Sequence, residues 1–440
     1  MVSQIIFVLV LFGAGIIFYR KVSTITRNIK LGKDISIQDN RLLRWKRMLF
    51  IAIGQQKMLK RPVSALMHIF VYVGFILVNI EMLEILTDGV AGSHRKFSFV
   101  GWPYNYLISF FELVAFTVMA GCAVFLIRRN VIRVKRFWNK EMTLWPRSDA
   151  NIILITELLL MSALFIMNAT DSILQTRPDN HYVQVGSFMI SGIIQPMFSG
   201  LSDGTLIFIE RFCWWFHITG VLVFLNYIPY SKHFHVFLAF PNVYYSKLQP
   251  KGEMENMPSV TREVKLMLDE NYSDQEDEPE EMTFGANRAK CLTWKNLMDA
   301  YTCTECGRCT SSCPANITGK KLSPRKIMMD TRDRLEEIGR KLDKLPAGER
   351  VSYDDGKTLF DYISTEELWA CTTCNACTQE CPVNIDPLAI ILEMRRYLVM
   401  EESKAPTSLN SVFSNVENNG APWQFPQEDR MLWSEELYYG

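Results

Sequence analysis

Cys303-Thr304-Glu305-Cys306-Gly307-Arg308-Cys309-Thr310-Ser311-Ser312-Cys313-Pro314 and Cys371-Thr372-Thr373-Cys374-Asn375-Ala376-Cys377-Thr378-Gln379-Glu380-Cys381-Pro382 are two copies of one pattern. Eight of the eleven cysteines lie in them. Cys-x2-Cys-x2-Cys-x3-Cys-Pro is the bacterial spacing for a pair of [4Fe–4S] clusters. Three cysteines at two-residue gaps wrap three corners of a cubane. The fourth, followed by proline, leaves on another path and ligates the other cluster. The reading pairs Cys303, Cys306 and Cys309 with Cys381, and Cys371, Cys374 and Cys377 with Cys313. A structural zinc site needs only four ligands, and a disulfide framework belongs to small secreted domains. Cys122, Cys213 and Cys291 read as ordinary small hydrophobes.

The insert 315–370 is long for a compact ferredoxin. It contains a charged helical stretch, Pro324 to Leu342, and Leu388 to Met400 is helical after the second word. Helices flanking both words indicate an α-helical ferredoxin domain.

Upstream, apolar runs are too long for soluble strands. Five spans are expected: Val2 to Tyr19, Val63 to Leu86, Tyr104 to Ile127, Asn151 to Leu174 and Thr205 to Ile228. The first has no basic n-region and no cleavage site, so it reads as a span rather than a signal peptide. Tyr182 to Phe198 is apolar but short and broken by Gly and Pro, and reads as interfacial. The fold class is therefore mainly α: a five-helix transmembrane cytochrome b bundle plus an α-helical ferredoxin domain. The expected domains are 1–240 (membrane), 241–290 (acidic linker), 291–400 (di-[4Fe–4S] domain) and 401–440 (a docking tail with Trp423, Phe425 and Trp433).

Charge sets an expected orientation. Twelve Lys and Arg lie from Arg20 to Arg61 and seven from Arg128 to Arg147, against two and one in the alternate loops. Basic loops stay inside, so the N-terminus is expected outside and the cluster domain in the cytoplasm, where thiols stay reduced. The formal net charge of +0 gives no electrostatic case for nucleic acid.

Six histidines occur. His68 and His217 fall inside spans, where an ionisable side chain is a functional candidate. Imidazole suits iron, and the expected pair is His68 with His217 around one b-type haem. His235 lies eighteen residues after His217, five helical turns on, so the two share a face. Its opposite number would be Met58. Two readings stay open: a second haem using Met58 and His235, or His233 and His235 as interfacial or quinone contacts. His94 and His181 read as surface residues in outer loops. Glu81, Glu84, Glu112, Glu157 and Glu210 are candidates for a proton path. For Glu81, Glu84 and Glu210 the preferred reading is helix-end charges at the interface.

The segments Gly54-Gln55-Gln56-Lys57, Arg61-Pro62 to His68, Trp214 to His217, Asn226-Tyr227 and Lys232-His233-Phe234-His235 resemble the γ subunit of respiratory nitrate reductase and the cytochrome b subunit of membrane heterodisulfide reductase. The cluster half resembles the iron–sulfur C protein of heterodisulfide reductase. The tail, Asn415-Val416-Glu417 through Trp423 and Arg430 to Trp433, is similar to the segment that precedes that family's CCG modules. The whole resembles the front half of membrane electron-transfer-flavoprotein:menaquinone oxidoreductases. The resemblance implies two [4Fe–4S] clusters, haem b and menaquinone as cofactors, in a multi-pass protein of the bacterial inner membrane. The implied partners are a CCG-bearing subunit, an electron-transfer flavoprotein and membrane lipid. Met58 stands where two-haem relatives carry a further histidine. The alternatives are a quinol-fed thiol or disulfide reductase subunit and a non-catalytic redox-sensing anchor.

Overall fold

The computed structural model describes all residues except 179–181, 187, 270–271, 273–282, 351 and 440. His181 and most of the acidic stretch of the expected linker therefore lie outside the described residues. Among those described there is no strand, only an isolated bridge between Lys33 and Thr293.

Five helices are long and apolar enough to cross a membrane: α1 Val2–Ile29, α2 Pro62–Ala91, α3 Trp102–Leu126, α4 Leu144–Leu174 and α5 Asp203–Tyr227. Pro62 and Pro103 sit in first turns, where a missing N–H costs nothing. Ser202 caps α5 through its side chain. Among its described residues, the segment around Tyr182 to Phe198 forms a short helix, Ser191–Ile194, and a 3-10 turn, Gln195–Met197, as expected for a piece that does not span.

The helices pack chiefly as α2 on α3, α3 on α4 and α4 on α5. Glycine permits the closest approaches, as is usual between apolar helices. At Gly89 a Cβ would stand 2.5 Å from the ring of Phe7. Phe7, 1% exposed, fills that notch and meets Trp214 at 5.6 Å, so α1 is seated against α2 and α5.

The helix α1 runs ten residues beyond the expected span. Its last turns leave the bundle and enter the cluster domain, built on α7 Trp294–Thr302, α8 Pro324–Leu342 and α9 Pro387–Met400. (α6, His235–Tyr244, lies just past the bundle.) Ile25 joins a core with Leu297, Leu335 and Ile338. Asn28, fully buried, donates to the Tyr301 hydroxyl at 2.9 Å. Arg27 donates to Gly339 O at 3.0 Å and pairs with Asp343 at 2.6 Å, and Lys21 pairs with Glu336 at 2.9 Å. The basic residues after the apolar run thus serve as a joint between the two halves as well as a flanking charge.

Beyond Met400 the helix Thr407–Asn419 has no buried residue, and Trp423 and Trp433 are 67% and 66% exposed.

Replacing Asn28 by Ala should leave Tyr301 without its buried donor and cost about 1–3 kcal/mol. The expected result is a lower melting temperature for loss of cluster absorbance in detergent, with helical content unchanged at room temperature.

Candidate functional site

A capping box between Thr293 and Asn296 starts α7, and the helix ends by delivering Cys303. Two left-handed residues, Glu305 at φ +54° and Gly307 at φ +69°, then coil the chain around the next two cysteines. The second word repeats the device at the same places, with Thr373 at φ +55° and Asn375 at φ +57°. Asn is among the few residues that tolerate this region. At Gly307 a Cβ would stand 2.5 Å from the Arg325 guanidinium, so glycine is needed there for space as well.

The loop borders a pocket lined by Cys303, Cys306, Cys309 and Cys381. The fourth cysteine of the second word has crossed to the first three of the first. The complementary group forms on the other side, where burial raises the Cys371 thiol, reinforced by the nearby Cys313 and Cys374. Burial pushes Cys303 up to about 11 and Cys377 and Cys381 up to about 12, so these groups persist as neutral thiols or as metal ligands. Backbone N–H donors already face the sulfurs: Ile385 N lies 3.3 Å from Cys381 Sγ and Thr373 N lies 3.5 Å from Cys371 Sγ. Such donors suit cluster ligands, whose potential they tune. Four convergent thiols with N–H groups aimed at them fit an iron–sulfur cubane.

The two groups face different surroundings. Cys374 is exposed. The Cys303–Cys381 cavity lies against the bundle, and a short turn joins it there. Lys57 Nζ donates to Cys381 O at 3.0 Å and Thr378 O at 3.2 Å. Arg61 donates to Ser311 Oγ at 3.2 Å, and Lys60 pairs with Glu380 at 3.0 Å. From the other flank Lys232 pairs with buried Glu305, which Arg332 also meets at 2.8 Å. Glu305 is held below the usual carboxylate range because Arg332 and Lys232 outweigh its burial.

Two residues before Lys57, Gln55 takes a left-handed conformation, φ +49°. Its Oε1 lies 3.0 Å from His68 Nδ1. The His68 ring in turn lies 6.4 Å from that of His235, whose Nδ1 is 3.0 Å from Lys232 O. His233 stands 5.5 Å from His235. Burial, with His235 and His68 adding, pushes His233 down to about 3, so it is neutral.

The structure thus places His68 beside His235, a pairing the sequence did not suggest. His217 is 2% exposed, with Nδ1 2.9 Å from Leu160 O. Depth explains the difference. His68 is six residues into α2, roughly 9 Å, whereas His217 is ten residues before the end of α5, roughly 15 Å. The assumption of one continuous helix from His217 to His235 also fails. Beyond Tyr227 the chain forms two tight turns, Ile228–Tyr230 and Lys232–Phe234, before α6 begins. Asp149 pins this break by accepting from Tyr227 Oη at 2.5 Å and Lys232 N at 3.1 Å. The break swings His235 under the bundle, where its ring meets that of His68 rather than Met58, which sits on the turn Gln56–Lys60.

Glu81, Glu84 and Glu210 are not interfacial charges. They are 6%, 4% and 2% exposed and line one polar cavity at the end away from the cluster domain. Glu84 accepts from Tyr104 Oη at 2.5 Å and Phe97 N at 2.7 Å. Arg95 pairs with Asp171 at 2.8 Å, and His94 lies 3.1 Å from the same carboxylate. His94, 11% exposed at its side chain, is therefore not a plain surface residue. Glu112 accepts from Ile190 N at 2.9 Å and Asn168 Nδ2 at 3.1 Å, anchoring the interfacial segment to α3 and α4. Gln55 and Lys57, which the sequence reading had quoted without a role, are the residues it missed. Both bond to groups remote in sequence, so periodicity carried no signal for them.

Residues 302–385 match the 4Fe-4S dicluster domain family. Nearly the whole chain (99%) is 28% identical to the probable iron-sulfur-binding oxidoreductase FadF of Bacillus subtilis, covering 61% of that protein. Of this chain, 89% is 27% identical to EtfAB:quinone oxidoreductase of Syntrophomonas wolfei, covering 54% of it. A quarter of the chain is 34% identical to the C protein of a ferredoxin/F(420)H(2)-dependent CoB-CoM heterodisulfide reductase of Methanosarcina acetivorans, covering 52% of it. No solved structure matches the chain. The protein thus carries a domain for two [4Fe–4S] clusters beside five apolar helices, and is related to iron–sulfur oxidoreductases and to heterodisulfide reductase subunits. The relatives match the resemblance read from the sequence, and the chain spans little more than half of the two longest matches.

Cys381→Ala and Cys303→Ala should each abolish the same one of two cluster signals in electron paramagnetic resonance, while Cys371→Ala abolishes the other. If Cys381→Ala instead matches Cys371→Ala, the ligands are not exchanged between the words.

Proposed function

We propose that this chain is the membrane component of a quinone oxidoreductase, conducting electrons between a soluble flavoprotein system and menaquinone. When bound, the clusters and a b-type haem would carry single electrons, and the quinone would take up two with two protons. The observation that carries the reading is the turn Gln55–Lys57. One end of it holds a carbonyl of cluster ligand Cys381 and the other holds the ring of His68. A single stretch of backbone therefore ties the cluster cavity to an imidazole pair at the end of a helical bundle.

His68 and His235 are the residues we assign to haem iron, in place of His68 and His217. Two imidazoles on one metal, with bonds of about 2 Å, have ring centroids roughly 6 Å apart; theirs are 6.4 Å apart. Each has Nδ1 beside a carbonyl oxygen, as His217 does too, which leaves Nε2 free as a ligand; the short ring separation is what favours this pair. His217 and Met58 are left without a haem role. His233, buried and neutral, would line the same site, and a quinone contact remains open to it.

Exposed Cys374 supports electron exchange with a partner at the second-word cluster, and the exposed aromatics of the tail suit a docked protein. The expected CCG-bearing subunit and, from the relative's name, an electron-transfer flavoprotein are the proposed partners. The basic loops support a cluster domain on the cytoplasmic side of a bacterial inner membrane, with the N-terminus outside.

The purified protein should show reduced-minus-oxidised b-type bands that a menaquinol analogue reduces. His68→Ala and His235→Ala should each remove them, and His217→Ala should retain them. Bands lost in His217→Ala and kept in His235→Ala would restore the original pair. Bands that ignore the quinol analogue would favour a sensing anchor. Reduction of an added disulfide by quinol, with the CCG-bearing partner present, would favour the reverse direction.

A further inference from the structure

Lys57 is half-buried, and its ammonium has no carboxylate within ion-pair distance among the described residues. Its surroundings are basic. Its charged neighbours include Lys60, Lys251 and Arg47. Lys60, three residues on, has Glu380 as partner, and Lys232 on the opposite flank has Glu305. Lys57, between them, is a cation to which the described residues offer no counter-charge. A cation withdrawn from water in this way is unfavourable unless a negative group lies close.

Its two acceptors show where that group would be. Thr378 O and Cys381 O belong to the end of the helix Ala376–Glu380 and to the cysteine that follows it. The ammonium therefore caps a helix C-terminus, a common task for lysine. It also stands beside the cavity where Cys381 meets Cys303, Cys306 and Cys309. Four thiolates around a cubane give a net negative group, and one more electron makes it more negative. The nearby positive charge favours the reduced form. The other thiol group has a different neighbour: Arg395 donates to Cys371 O at 2.6 Å. Arg308 and Arg325 also line the first cavity, but the donor on its ligand carbonyl is Lys57, as Arg395 is on Cys371.

We propose that Lys57 is a positioning residue that sets the redox potential of the bundle-facing cluster, raising it selectively through its charge. A membrane-side residue then poises the carrier next to His68, while Gln55 in the same turn orients the imidazole. The proposal depends on the dicluster domain alone, and stands or falls independently of the haem and quinone assignments.

The test is a potentiometric titration of the full-length protein in detergent at pH 7, reduced with dithionite and followed by electron paramagnetic resonance. The relevant signal is the one abolished by Cys381→Ala. Lys57→Gln retains a donor for the two carbonyls but removes the charge. It should lower the reduced-to-oxidised ratio of that signal about tenfold at fixed potential, equivalent to 59 mV for a one-electron couple. The second signal should stay unchanged, and Lys57→Arg and Lys60→Gln should both behave as wild type. A ratio within about twofold of wild type in Lys57→Gln, or an equal shift in both signals, would overturn the proposal. If Lys57→Gln fails to hold the cluster, Lys57→Arg decides. A normal cluster and potential in that variant support a requirement for charge, and loss of the cluster there means only the shape of the lysine matters.

Discussion

Four thiols from segments about seventy residues apart must converge on one cavity, and most of the architecture follows from that. Cys381 can reach Cys303, Cys306 and Cys309 only if the intervening insert folds away and returns. The helix α8 does this, burying Ile327, Leu335 and Ile338 against α7 and α9. Because Cys381 of the second word lines the cavity of the first three cysteines, the two loops are folded against one another. It also brings the end of the second word to the bundle, where Lys57 takes hold of it.

The joint between the halves is polar and buried. Asn28, Arg27 and Lys21 reach from α1 into the cluster domain, while Arg325, with no exposed side-chain surface, pairs with Glu141 from the loop before α4. Breaking such contacts leaves a charge or donor unsatisfied, which is more costly than losing apolar area. A joint of this kind holds the cluster cavity in one place relative to His68 and His235. That rigidity matters for an electron carrier, whose rate depends on fixed separations.

The two words, the five apolar helices and the α-helical surroundings of the clusters were legible because each has a local signature: exact cysteine spacing, long hydropathy and 3.6-residue periodicity. Even the repeated left-handed residues have one, since Gly307 and Asn375 occupy the same place in each word. The nearness of His68 to His235 was not legible. His217 and His68 were matched because both lie in spans, but the break at Pro229 decides which histidine arrives beside His68. Glu81, Glu84 and Glu210 were misread for a similar reason. Their place near helix ends is visible in the sequence, but their burial comes from Tyr104, Arg95 and Tyr182, contributed by other elements.

By itself, then, the sequence determined that the chain carries a domain for two clusters and how many helices are apolar enough to span a membrane. These are properties of spacing and composition within short windows. Only the tertiary structure decided that His235 comes beside His68, and that Lys57 lies on the carbonyl of Cys381. Both depend on where a chain goes after a turn, and on contacts across 167 and 324 positions, for which no local period exists.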